Sequence, residues 1–156
     1  MKAIMLSMQP QWVAKILNGE KNIEIRKRFP INYVGWVYVY CTKKGETIWG
    51  KGTTFTEQVG EQYITGINYD MLNGKVVARF WCDKAIFISF NVFGPISTHH
   101  ITKLEIFDTP KELKEFKVWR KKTIYSGMDC PPYVDDVNVP LTRAPQNWCW
   151  VEGEKE

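Results

Sequence analysis

Residues 36–42 read Trp-Val-Tyr-Val-Tyr-Cys-Thr, with Trp36, Tyr38 and Tyr40 on one side of an extended chain and Val37, Val39 and Cys41 on the other. Successive side chains of a strand point to opposite faces, so a strand with this pattern has no face that prefers water. It is expected to lie centrally in a sheet, and the rest of the chain must supply its neighbours and both covering layers. A chain of 156 residues, 44% of them hydrophobic, carries enough apolar surface for one such core and not two. A single domain follows.

Partners for that strand can be read on either side of it. Lys2 to Met8 reads as a first strand, and Pro10 then supplies the backbone angle favoured at the first helical position. Trp12, Val13, Ile16 and Leu17 recur at helical spacing and Asn18-Gly19 supplies a stop, predicting an amphipathic helix from about Pro10 to Leu17. From Asn22 the period is two. Asn22, Glu24, Arg26 and Arg28 share one face, and the other face, with Ile23 and Ile25, is expected to look toward the core.

Asn73-Gly74 signals a turn into a strand over Lys75 to Asp83. Ile86 to Val92 and Ile101 to Phe107 are β-rich, and Asn147 to Glu152 closes the chain as a strand. Thr109-Pro110 opens a predicted helix over Lys111 to Phe116. Residues 43–66 show weak periodicity and read as a long loop or insertion, and residues 127–146, with four of the eight prolines, read as an irregular wrap. Five to seven short strands with an early and a late helix predict an α+β domain: a small, strongly bent mixed β-barrel flanked by short α-helices.

Cys41, Cys82, Cys130 and Cys149 never fall at a C-x2-C spacing. The two histidines, His99 and His100, follow Ser97-Thr98 in an expected loop, where adjacent side chains point apart. No metal site and no cofactor are expected. No charged start with an apolar run suggests a signal peptide, and no apolar stretch approaches the ~18 residues that cross a bilayer. The expectation is a cytoplasmic protein with reduced cysteines and no membrane partner.

Charge is placed unevenly. Residues 1–60 hold nine Lys and Arg against four Asp and Glu, whereas residues 61–156 hold twelve against thirteen. An anionic partner, nucleic acid or a phosphorylated nucleoside, is therefore expected at the first third of the chain. Lys117, Arg120, Lys121 and Lys122 either widen such a surface or form a solvated helix end.

Residues 5–28, Met-Leu-Ser-Met-Gln-Pro-Gln-Trp-Val-Ala-Lys-Ile-Leu-Asn-Gly-Glu-Lys-Asn-Ile-Glu-Ile-Arg-Lys-Arg, resemble the opening of ASCH domains. The run of an apolar-Ser strand, a helix ending Ile-Leu-x-Gly, and then Glu-Lys-x-Ile-Glu-x-Arg carries most of the likeness. Residues 37–43, 74–78, 109–116 and 144–152 also look similar to members of that family. The resemblance implies a PUA-like barrel with a cleft beside the turn that carries Lys21, used by relatives for RNA or modified nucleosides.

Lys21, Arg26 and Arg28 offer three cations within eight residues, and arginine engages phosphate through paired hydrogen bonds. Glu24 lies on the face of Arg26. It either accepts from an exocyclic amine of a base or holds Arg26 in position. Ser7 and Tyr40 would add a hydroxyl and a stacking ring, Lys43 a rim charge, and Gln146 and Trp148 lie in the similar closing segment. Binding of RNA or a modified nucleoside is the expected role, without catalysis. The alternative is a metal-independent hydrolase of RNA or acylated nucleosides, in which Lys21 and Glu24 would act. Amidohydrolases of the wider group have a threonine three residues after the lysine, and position 24 here is Glu.

Overall fold

The computed structural model describes residues 1–91, 94–125, 127, 128 and 131–154, with backbone alone at 89–91, 94 and 95. The predicted strand end at Val92 and the cysteine at 130 lie outside the described residues.

The centre is β3 (Gly35–Cys41), every residue of which is buried. It lies between β1 (Lys2–Met8), which runs parallel to it, and β6 (Val76–Cys82), which runs antiparallel. β12 (Trp148–Glu152) and β9 (Thr102–Lys111) flank these in the order β12-β1-β3-β6-β9. Alternation sorts the side chains into two layers, as period two requires. Ile4, Leu6, Val37, Val39 and Phe80 pack on one face with Val13 and Ile16 of α1 (Pro10–Leu17). Met5, Tyr38, Tyr40 and Val76 pack on the other with Phe116, Val118 and Leu141.

Three smaller sheets complete the fold. β2 (Ile23–Lys27), β8 (Gly94–His100) and β7 (Ala85–Asn91) form one in the order β2-β8-β7. β4 (Thr53–Val59) pairs with β5 (Gln62–Asn68), and β10 (Lys117–Ile124) with β11 (Tyr133–Pro140). Among the described residues no helix is long and apolar enough to cross a membrane.

The predicted α+β barrel is corrected by this topology. The chain is mostly β, 57% strand and 8% helical, in small open sheets with a single α-helix and no closed barrel among the described residues. The outer strands β12 and β9 do not pair with each other. The second predicted helix is absent because Lys111 completes β9 and only Leu113–Glu115 forms a 3-10 turn. Six residues are too few to offset helix nucleation without a buried stripe. Pro110 is accommodated because β9 is an edge strand.

The expected loop at 43–66 holds β4 and most of β5, which form a hairpin. Its period is weak because neither face is buried, so no selection for alternation acts on it. The expected wrap at 127–146 contains β11. Pro140 ends that strand opposite Lys117, at the end of the ladder.

Gly74 joins the core strands. Its φ is +80°, and its N–H donates to Cys41 O at 2.7 Å. A Cβ there would also stand 3.1 Å from Lys43 Cγ. Gly74→Ala is expected to lower stability by about 1 kcal/mol through left-handed backbone strain, read as a lower denaturation midpoint at unchanged slope.

Candidate functional site

The path from β1 to β2 is set by local chemistry. Pro10 begins α1, and Gly19, at φ +79°, ends it in a Schellman arrangement: Gly19 N–H donates to Ile16 O and Glu20 N–H to Lys15 O. The chain turns back, and Lys21 returns beside the helix with Nζ 5.4 Å from the Trp12 ring centre. Lys15 Nζ lies 5.1 Å from the same ring. These cations border an indole that is 42% exposed.

β2 is inverted relative to the sequence expectation. Ile23 and Ile25 are 40% and 58% exposed, whereas Glu24 is 6% exposed. The expected core face therefore looks outward. The reason lies in Arg26: its Nε donates to Glu24 Oε1 at 2.7 Å, Nη1 to Asn147 Oδ1 at 2.9 Å, and Nη2 to the Ser7 carbonyl at 2.8 Å. A guanidinium spanning two strands and the closing segment offsets the burial of polar groups that an isolated strand could not satisfy. Glu24 Oε1 is thus engaged by Arg26 in this arrangement.

Lys21 Nζ lies 3.0 Å from the buried Glu24 Oε2 as an ion pair. Ser7 Oγ donates to Pro145 O at 2.6 Å and its N–H to Asn147 O. Ser7 thus ties β1 to the closing segment.

A cleft of about 710 Å³ opens beyond the carboxyl ends of the parallel strands β1 and β3, within the usual size of small-molecule sites. Such ends are where open sheets leave a crevice. Ser7, Trp12, Glu24, Ile25, Arg26, Lys44 and Gln146 line it.

The site residues foreseen from sequence therefore divide. Ser7, Glu24, Arg26 and Gln146 meet in the cleft, with Lys21 against Glu24. Tyr40 and Lys43 line a different cleft, beside Gly74, Glu112 and Arg143. Trp148 packs in the core layer and donates Nε1–H to the Arg28 carbonyl at 2.9 Å. Arg28 lies past the end of β2 at φ +60°. The basic run of β10 faces acids across the hairpin, Lys121 opposite Asp136 and Lys122 opposite Asp135.

Sequence reasoning passed over His99, which stands opposite Glu24 on β8 and is 1% exposed. Its Nε2 lies 2.8 Å from Ser97 Oγ, its Nδ1 is buried without a partner, and its ring centre is 3.8 Å from that of Phe29. Burial first, and the Arg26 charge second, hold it down to about 4, so it is neutral at pH 7. The signal was present: Ile96, Thr98 and His100 alternate with Ser97 and His99 as a strand does. Asn147 was also missed, and Lys44, read from the sequence as a rim charge with Lys43, lines the cleft that Lys43 does not. Among the described residues no group of His, Cys, Asp and Glu is arranged to hold a metal ion. Comparison with known proteins finds no matching family model, curated protein or solved structure.

Proposed function

We propose that the cleft takes up RNA or a modified nucleoside, the role implied by the resemblance of residues 5–28 to ASCH domains. One observation carries the reading: a half-exposed Trp12 and the Glu24 carboxylate, which is ion-paired to Lys21, line the same cleft. A base offers a flat face for an indole and edge N–H groups for a carboxylate. Lys15, Lys21 and Lys44 supply positive charge near the cleft for phosphate. A cytoplasmic location belongs to the reading, supported by free thiols at Cys41, Cys82 and Cys149. Burial pushes the Cys41 thiol up to about 11, which keeps it inert.

Hydrolysis of RNA or an acylated nucleoside in the same cleft is the second reading. The contact between Lys21 and Glu24 favours it, because it places an amine and a carboxylate side by side at the cleft.

Calorimetric titration with short single-stranded RNA and with nucleosides tests both. Trp12→Ala is expected to weaken binding about 5- to 150-fold, since one base-on-aromatic stack contributes about 1–3 kcal/mol. Lys21→Ala is expected to flatten the dependence of affinity on salt. Unchanged affinity in folded Trp12→Ala removes the reading. Ligand recovered with unaltered mass favours binding, and deacylated or cleaved ligand favours hydrolysis.

A further inference from the structure

We propose that β5 is a dimerisation edge, pairing antiparallel with β5 of a second copy of the chain. The β4–β5 hairpin stands away from the core. Each residue of β4 is exposed, as is each of β5 except Gly66, and among the described residues neither outer edge has a strand partner. A two-stranded hairpin solvated on both sides is marginally stable, and three or more strands are needed for a robust sheet.

The edge itself says which occupant fits. Proteins normally defend exposed edges with charge, proline or bulges. The β10–β11 hairpin follows that rule, with Lys121, Lys122, Asp135 and Asp136 along its strands. β5 reads Gln-Tyr-Ile-Thr-Gly-Ile-Asn, without charge or proline, and its register to β4 is continuous. Tyr63, Ile64 and Ile67 are 70%, 52% and 51% exposed.

A two-fold axis at Thr65 makes this sequence self-complementary. Thr65 then meets its own copy, Tyr63 lies opposite Ile67 of the second chain, and Ile64 lies opposite Gly66. Thr–Thr and aromatic–aliphatic pairs of this kind stabilise antiparallel ladders. Gly66 carries the Phe55 ring, whose atoms lie 2.7 Å from where a Cβ would stand, so an incoming Ile64 would pack beside an aromatic surface. Glu61 falls opposite Tyr69 and away from its own copy. Like charges thus never meet along the pair. The β4 edge, with Glu57 next to its middle residue, lacks this neutrality.

Sedimentation velocity over a concentration series, on the full chain, tests the proposal. The wild type is expected to sediment as a dimer, Thr65→Lys as a monomer, and Gln58→Lys, on β4, as a dimer. Oxidised Thr65→Cys is expected to form a covalent dimer with a native circular dichroism spectrum, because paired Cα atoms of an antiparallel ladder lie within disulfide range. A monomeric wild type overturns the proposal. So does a dimer that survives Thr65→Lys but not Gln58→Lys. If Thr65→Lys fails to fold, absence of a cross-link in Thr65→Cys beyond the wild-type level is the overturning result.

Discussion

Arg26→Ala is expected to destabilise the fold by about 3 kcal/mol, the low end of what removing one partner from a buried ion pair costs. The guanidinium is the shared donor to Glu24, Asn147 and the Ser7 carbonyl, linking β2 to β1 and to the segment before β12. Without it Glu24 stays buried with only Lys21 nearby, and the Ser7 carbonyl and Asn147 Oδ1 lose donors. Arg26→Lys is expected to recover little, because an ammonium cannot reach three acceptors in one plane. Lys21→Ala is expected to change stability by less than about 1 kcal/mol, because in this cluster Lys21 meets only Glu24, whereas Arg26 also bonds Asn147 and the Ser7 carbonyl. Guanidinium denaturation of the three variants measures this order. From the sequence alone Arg26 reads as an exposed cation whose removal spares stability. Its bonds revise that expectation, so a binding defect in Arg26→Ala is interpretable only beside its unfolding curve.

Stability is expected to fall by about 3 kcal/mol between pH 6.5 and pH 4 because of His99 alone. Burial and the neighbouring Arg26 charge hold the folded imidazole near 4, against 6.5 when unfolded. In that interval the unfolded chain binds a proton that the folded chain refuses. The contribution of His99 is therefore fully present above pH 6.5 and is lost as pH falls toward 4. Glu154, held low by Lys111, pulls in the same direction, but it is half exposed and contributes little. His99→Gln is expected to flatten the profile across this interval, and denaturation midpoints at successive pH values show whether it does. A wild-type profile as flat as that of His99→Gln would mean that His99 is not buried against Arg26.

The legible parts of the fold are those where one physical demand acts alone. β1, α1, β3 and β6 each bury an apolar face against the same core, so period and capping residues report them directly. The β4–β5 hairpin has no buried face, and its Thr, Tyr and Ile content therefore carried no alternation to read. β2 misled for the opposite reason. Its alternation is clear, but the polar side is inward because Arg26 finds acceptors from β1 and the closing segment, which lie 19 and 121 residues away in the chain. Glu24 and Arg26 were found as motif positions, and their mutual bond needed the fold. His99 was passed over because a polar pair after Ser97-Thr98 resembles a turn until β8 is seen to pair with β2.

The most direct test of the cleft is nitrogen-15 NMR of its own side chains during titration with single-stranded RNA and with nucleosides. The expected result is movement of the Trp12 indole and Arg26 Nε–H signals, with the indoles of the exposed Trp49 and Trp119 unmoved. Movement confined to Trp49 or Trp119, or no movement at saturating ligand, would contradict nucleic-acid recognition in this cleft.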